Sequence, residues 1–241
     1  LPKELRALAR KVALSKGASF VWEAGNEWSS FVETETVQPI FSLTTPEHHW
    51  SQLPIALPGP FQAPNASLAA VAASALSTSG WSWSEVDVRE GLAKARWFGR
   101  WEQGFWRGHP VLVDGAHNVS ALRGLLEELE TEQPHLVFSC MQGKESELMI
   151  QAMSEKVASL TLFELPQQRV ESAVALETLA EQYLPGLPRQ TAATLREAMD
   201  KVIHSVSFDE TVVLCGSLFV WETLLQQNEV ELVESLTFER R

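Results

Sequence analysis

Pro110-Val111-Leu112-Val113-Asp114-Gly115-Ala116-His117-Asn118 is the stretch on which the fold turns. Its opening apolar run, rich in β-branched residues, reads as a strand buried on both faces. Gly115 permits a tight turn after Asp114, and Asn118 is an N-cap type standing before a helical pattern. The same unit recurs downstream. Leu136–Met141 is followed by a helix from Glu145, Leu160–Leu165 by a helix from Ser172, a weaker strand Pro188–Thr191 by a helix from Thr194, and Thr211–Cys215 by a helix from Ser217. Apolar strands alternating with helices predict an α/β fold whose mostly parallel, Rossmann-like sheet is covered on both faces and runs from about residue 99 to 228. The remainder, Asn228–Arg241, reads as a short edge strand or a mobile tail.

Upstream the pattern differs. Leu5, Leu8, Ala9, Val12 and Ala13 recur at helical spacing within Pro2–Lys16, and Gly17 stands where that helix would stop. Ser19–Trp22, Phe31–Glu35 and Pro39–Leu43 are short β-like runs that suggest a small antiparallel piece at a sheet edge. Thr44–Pro64, dense in Pro, reads as an irregular connection; its adjacent His48 and His49 have no third ligand nearby, which favours a surface loop over a metal site. Asn65 opens an Ala-rich helix to about Ser79, and Trp83 or Ser84 opens another ending near Ala95. After Gly99 the character of the sequence changes.

The chain has 241 residues, 19 Lys plus Arg against 31 Asp plus Glu, and a net charge of −12. That balance argues against holding nucleic acid by neutralising phosphates. Ala66–Leu76 and the other apolar runs fall short of the roughly 20 residues a membrane helix needs. Cys140 and Cys215 form no disulfide framework or metal-ligand pattern, so they read as buried core thiols in a reducing cytoplasm. Leu1 is not Met, no signal-peptide layout follows it, and the expectation is a piece of something longer.

In an open α/β sheet ligands collect at the carboxyl ends of the strands. Asp114, His117 and Asn118 stand at such an end, before a helix N-terminus that offers free N–H groups to an anion; an ordinary capped strand end is the alternative. Phe98-Gly99-Arg100 lies at the domain junction, where an Arg beside a Gly hinge could reach a phosphate, although Arg–Glu pairs near Trp are more often packing and surface charge. Gln62-Ala63-Pro64-Asn65-Ala66 has a similar ambiguity, because Asn65 could simply cap the helix.

In this order the three runs, with Gly216-Ser217-Leu218 as a fourth, resemble the folylpolyglutamate synthase and dihydrofolate synthase family of the Mur ligase superfamily. The likeness covers roughly residues 55 to 225. It implies an ATP-dependent ligase that joins glutamate to dihydropteroate or a tetrahydrofolate through an acyl phosphate, with ATP and Mg²⁺ as cofactors and a monomeric full-length enzyme. By the same resemblance Asn65 faces the adenine, Arg100 reaches the ATP phosphates, Asp114 contacts the nucleotide, and His117 and Ser217 line the glutamate side, with Arg100 and His117 as the catalytic pair. Residues 98–241 would then be the Rossmann-like glutamate-ligase domain and residues 1–97 the last part of the ATPase domain.

Phe98 departs from the family's Pro, Val119 from a frequent Pro, Phe219 from a common Tyr, and Gly143-Lys144-Glu145-Ser146 lacks the usual Asp after Lys. No Gly-x-x-x-x-Gly-Lys-Ser/Thr phosphate loop occurs in the 241 residues. The resemblance assigns that loop, the metal ligands and most of the pteridine pocket to a preceding region, so the chain alone is expected to be inactive. Two competing readings are a non-catalytic Rossmann-like binding module and an NAD-dependent oxidoreductase. The second needs Gly-x-Gly-x-x-Gly after the first strand, which the Asp114–Asn118 turn lacks.

Overall fold

The computed structural model describes residues 2–33, 39–59, 62–129, 133–226 and 230–232. Of the sequence expectations, Leu1, Thr34, Glu35, Phe61, Asn228 and residues 233–241 lie outside these. The chain divides into two compact units, Leu1–Ala56 with Gln62–Ala95, and Leu57–Phe61 with Arg96–Arg241.

The first unit holds α1 (Lys3–Ser15), an antiparallel three-stranded sheet of β1 (Ser29–Glu33), β2 (Ile40–Thr44) and β3 (His49–Pro54), α2 (Gln62–Leu76) and α3 (Glu85–Ala93). Phe41, Leu43, Trp50, Leu53 and Ile55 meet Ala70 and Val71 of α2 and Val88 of α3 in one small core. Helix α1 buries none of its residues, and Leu5, Leu8, Val12 and Leu14 are all exposed. Arg10 ties it to the following loop through Glu23 at 2.6 Å and Glu27 at 2.8 Å.

Three expectations fail in this unit. Ser19–Trp22 is not a strand, since its alternation finds no neighbouring edge. Thr44–Pro64 is not all irregular: β3 runs through it, because Trp50 and Leu53 face the core from a register that pairs His49 with Thr44. The histidines belong to that hairpin. His48 stacks on Trp50 at 4.6 Å and its Nδ1 lies 2.8 Å from Ser74 Oγ, while His49 Nδ1 lies 3.0 Å from Thr44 Oγ1. Among the described residues no group of three or more His, Cys, Asp or Glu could hold a metal ion. Finally, α2 begins at Gln62 rather than Asn65. Pro64 is compatible with the first helical turn because the N–H it lacks would have no intrahelical acceptor there.

The second unit is a seven-stranded sheet. In chain order it comprises β4 (Glu102–Trp106), β5 (His109–Val113), α4 (Val119–Glu128), β6 (His135–Phe138), α5 (Ser146–Ala152), β7 (Ser159–Phe163), α6 (Ala173–Tyr183), β8 (Arg189–Ala192), α7 (Leu195–Ser205), β9 (Val212–Cys215), α8 (Phe219–Leu225) and β10 (Val230–Leu232). The order across the sheet is β10-β4-β5-β9-β6-β7-β8, with β5 to β8 parallel and β4 antiparallel to both of its neighbours. Strand β4, just after the Phe98-Gly99-Arg100 junction, is not among the strands expected from the sequence; its hairpin with β5 turns at Arg107-Gly108, both at positive φ.

Chain direction explains how both faces are covered. The first three parallel crossovers step outward from β5 to β8, and α4, α5 and α6 pack on Leu112, Leu136, Phe138, Leu160 and Leu162. The chain then steps back to insert β9 between β5 and β6. With right-handed crossovers preferred, that reversal sends α7 to the opposite face, where it packs with α8 on Val111, Val113, Val137, Phe163 and Leu214. Asn118, Ser172 and Thr194 cap their helices as the sequence predicts, by accepting N–H bonds from residues three further on. Helix α8 starts at Phe219, two residues after Ser217, whose hydroxyl accepts from the Phe219 N–H at 3.2 Å. No described helix is long and apolar enough to cross a membrane.

Candidate functional site at the carboxyl edge of the sheet

Insertion of β9 brings the ends of β5, β9 and β6 side by side, and the backbone stitches them together. Asp114 N–H donates to Leu214 O at 3.0 Å, Gly216 N–H to Ala116 O at 2.9 Å and Ser139 N–H to Cys215 O at 3.3 Å. A side chain at Gly216 would meet Ser139 O at 2.1 Å, and its φ of +107° is a region that L side chains rarely adopt. At Gly115 a Cβ would lie 2.3 Å from Leu218 Cδ2. The two glycines therefore let the Asp114–Asn118 turn and the Gly216–Leu218 turn lie flat against each other.

Asp114 is 2% exposed. Its Oδ2 accepts from Trp101 N–H at 3.0 Å and its Oδ1 from Ala116 N–H at 2.8 Å. Burial pushes its carboxyl above the usual carboxylate range; the Trp101 N–H, the Arg100 charge, the Ala116 N–H and His117 pull it part of the way back. On the other side of Arg100, Gly115 N–H donates to Gly99 O at 2.7 Å. Arg100 is half-buried, and among the described residues no hydrogen bond or ion pair occupies its guanidinium.

His117 is half-buried, with Nδ1 2.8 Å from Gly115 O. A carbonyl only accepts, so Nδ1 carries the proton of that bond and Nε2 is the ring nitrogen it leaves unengaged. Ser217 is 3% exposed and retains its hydroxyl proton for donation. Arg100, Asp114, His117 and Ser217 thus share the carboxyl edge of the second unit. Asn65 belongs to the first unit, in the opening turn of α2, exposed, with Nδ2 donating to Gln62 Oε1 at 3.1 Å.

Phe98, which stands where the resemblance expects Pro, stacks on Trp221 of α8 with ring centroids 5.9 Å apart and planes 9° from parallel. A tertiary contact thereby restrains the segment where a proline ring would restrain the backbone. The Gly143-Lys144 turn after β6 is held instead by the loop after β7, where Gln142 N–H donates to Arg169 O at 2.7 Å and Glu171 N–H to Cys140 O at 2.9 Å. Both cysteines are buried; burial first and the nearby Glu171 second push the Cys140 thiol up to about 12, so it stays protonated.

Residues 99–218 match the Mur ligase, glutamate ligase domain family. The probable bifunctional folylpolyglutamate synthase/dihydropteroate synthase of Haloferax volcanii is 30% identical over 172 residues, which are 69% of this chain and 20% of that protein. The dihydrofolate synthase/folylpolyglutamate synthase of Bacillus subtilis is 33% identical over 119 residues, 47% of this chain and 27% of that protein. Mycobacterium tuberculosis folylpolyglutamate synthase, solved with ADP and AMPPCP, shares the fold with a TM-score of 0.76 at 23% identity, over 94% of this chain and 53% of that one. The chain therefore spans about a fifth to a quarter of these curated relatives and about half of the solved structure. Motifs, sheet and relatives agree that the chain belongs to the folylpolyglutamate synthase and dihydrofolate synthase family, as its C-terminal portion.

Proposed function

We propose that this chain is the glutamate-side portion of an ADP-forming ligase that adds glutamate to dihydropteroate, to tetrahydrofolate or to both. One observation carries the reading: Arg100, whose guanidinium has no hydrogen bond or ion pair among the described residues, follows Gly99 and precedes Trp101, whose main chains are bonded to the Asp114-Gly115 turn at the strand edge where α/β sheets bind anionic ligands. Residues 98–241 are read as the glutamate-ligase domain and residues 1–97 as the last part of the ATPase domain.

The edge suits the phosphate end of ATP, because Arg100 offers a fork of charged donors to which no described residue is hydrogen-bonded. When bound, ATP supplies the γ-phosphoryl group that activates the folate carboxylate as an acyl phosphate. Arg100 holds phosphate oxygens and offsets the charge that builds on them during transfer. With Nδ1 on Gly115 O, His117 would use Nε2, when unprotonated, to take the proton that the incoming amine must lose. Ser217 donates its hydroxyl to a glutamate oxygen, and Asn65 meets the adenine with paired donor and acceptor. Among the described residues no group of three or more His, Cys, Asp or Glu could hold a metal ion, and the resemblance assigns the Mg²⁺ ligands to a preceding region.

The test has two parts. The purified 241-residue chain should release no ADP in response to folate and glutamate, since it contains no phosphate loop; dependent release would refute the division of labour. In the chain joined to its upstream sequence, Arg100→Ala should lower kcat at least 100-fold, the scale of losing one charge-stabilising donor. Near-normal turnover would remove Arg100 from the reaction.

A further inference from the structure

We propose that His109 and His135 form a proton-operated latch on the Ser207–Glu210 turn, the segment that leads from α7 into β9. Each is the first residue of a strand that flanks β9, His109 of β5 and His135 of β6. Both reach the same turn, at the amino edge of the sheet and away from the candidate site.

Hydrogen bonding at His109 sets the sign of the switch. Nδ1 lies 3.0 Å from Pro110 O and Nε2 lies 3.2 Å from Ser207 O. Carbonyl oxygens only accept, so both bonds exist together only when the ring carries both protons. A neutral ring must turn one lone pair toward a carbonyl, at a position 8% exposed where little water can replace the lost bond. Pro110 O belongs to the same strand as His109, whereas Ser207 belongs to an exposed turn, so the Ser207 contact is the one that opens. Phe208 packs on the His109 ring with centroids 5.7 Å apart and moves with that turn.

His135 holds the other end. Its Nε2 lies 3.4 Å from Glu210 Oε1, and its Nδ1 lies 2.8 Å from Ser159 Oγ, which can donate or accept. A neutral ring with its proton on Nε2 keeps both contacts, and a second proton turns the first of them into an ion pair. Glu210 Oε2 accepts from Ser207 N–H at 2.5 Å; that bond first, with His135 second, holds the Glu210 carboxyl below the ordinary carboxylate range. Glu210 N–H donates in turn to Ser207 O at 3.0 Å. On the surrounding elements, Arg107 is bonded to Asp200 of α7 at 3.1 Å and His204 of α7 turns Nδ1 to Asp200 O. Asp209 lies in the turn itself, and Glu155 and Lys156 precede β7. The turn is therefore closed while the two rings carry their protons and Glu210 its charge. It opens as pH rises through the titration of the histidines, and its Glu210 contact weakens as pH falls through the lowered value of that carboxyl.

The experiment uses the 241-residue chain and nitrogen-15 NMR of the histidine rings. At about pH 5.5 both ring nitrogens of His109 should carry protons; an unprotonated nitrogen there overturns the latch without any variant. Between about pH 5.5 and about pH 8, protection of the Glu210 amide, taken against its intrinsic exchange rate, should fall about tenfold while that of Val213 in β9 stays unchanged. Constant protection at Glu210 overturns the proposal, and so does an equal loss at Val213, which would mean that the whole sheet loosens. His109→Gln, which cannot change charge in this range, should remove most of the pH dependence, and His135→Gln a smaller share. A double variant that keeps the full change would assign it to another group and overturn the latch.

Discussion

The two units bury their residues very differently. In the second unit, the described residues form one cluster of 20 buried side chains on one face of the sheet and another of 16 on the other face. In the first, a single cluster of 8 lies between a three-stranded sheet and two helices, and α1 adds nothing to it. At roughly 1.5 to 3 kcal/mol for each large apolar side chain fully buried, the second unit has several times the driving force of the first. A sheet whose chain reverses direction covers both of its own faces, whereas α1 carries an apolar stripe that no described residue covers. The folded unit that matches the glutamate ligase domain should accordingly behave as a stable platform, and the first unit as the weaker partner.

The sharpest way to break that contrast is at glycine. Gly216→Ala puts a Cβ 2.1 Å from Ser139 O at a φ of +107°, so the ends of β6 and β9 must separate. We expect a loss of more than about 3 kcal/mol from the second unit, combining backbone strain and clash. Gly80→Ala in the first unit, at φ +88° with nothing within 4 Å, should cost only about 1 kcal/mol. Denaturant unfolding followed by amide exchange in each unit measures both, and equal effects would contradict the packing at the strand edge.

Truncated leucines probe the cores themselves. Leu136, fully buried in β6, should lose about 3 kcal/mol on replacement by Ala. Leu8, 54% exposed on α1, should change stability by less than about 0.5 kcal/mol. A large loss at Leu8 in the 241-residue chain would show that the α1 stripe is covered in solution. Amide exchange should agree, with α1 exchanging at the fast end of the molecule and β9, inside the sheet, at the slow end.

How far the sequence foretold this depends on what kind of signal each element carries. The strands β5, β6, β7 and β9 are apolar runs ending in turn and cap residues, a local pattern that survives any tertiary context, and the expected parallel sheet is present. Strand β4 was hidden because Glu102-Gln103-Gly104-Phe105-Trp106 mixes charge, Gly and aromatics. What makes it a strand is its pairing with β5, a non-local fact. Ser19–Trp22 shows the converse, β-type composition with no edge to join. At the candidate site, residue identities at Arg100, Asp114, His117 and Ser217 were readable from the motifs. That Asp114 spends both oxygens on backbone N–H groups was not, since it depends on β4 bringing Trp101 back beside the end of β5.

The smallest effect sets the two units in opposition through acid titration. Asp87, the third residue of α3, accepts from the Ser84 hydroxyl and from the Ser84 N–H, each at 2.7 Å, and these bonds hold its carboxyl below the ordinary range. Its folded value lies below its unfolded one, so its contribution is present above the unfolded value of about 3.9 and is lost as pH falls through the folded value. Asp114 behaves in the reverse sense. Burial raises its folded value above the unfolded one, so the folded state favours the protonated acid, and its contribution is full below about pH 3.9 and declines as pH rises through the folded value. Between the two folded values the first unit should gain stability with rising pH from Asp87 while the second loses some from Asp114. Carbon-13 carboxyl titration reads both midpoints directly: Asp114 should titrate above an ordinary Asp and Asp87 below it. Asp114→Asn should remove the descending limb from the second unit alone. An Asp114 midpoint below the ordinary range would mean that its two N–H donors and the Arg100 charge outweigh its burial, and the carboxylate would then be held more tightly to Arg100 than its depth in the sheet implies.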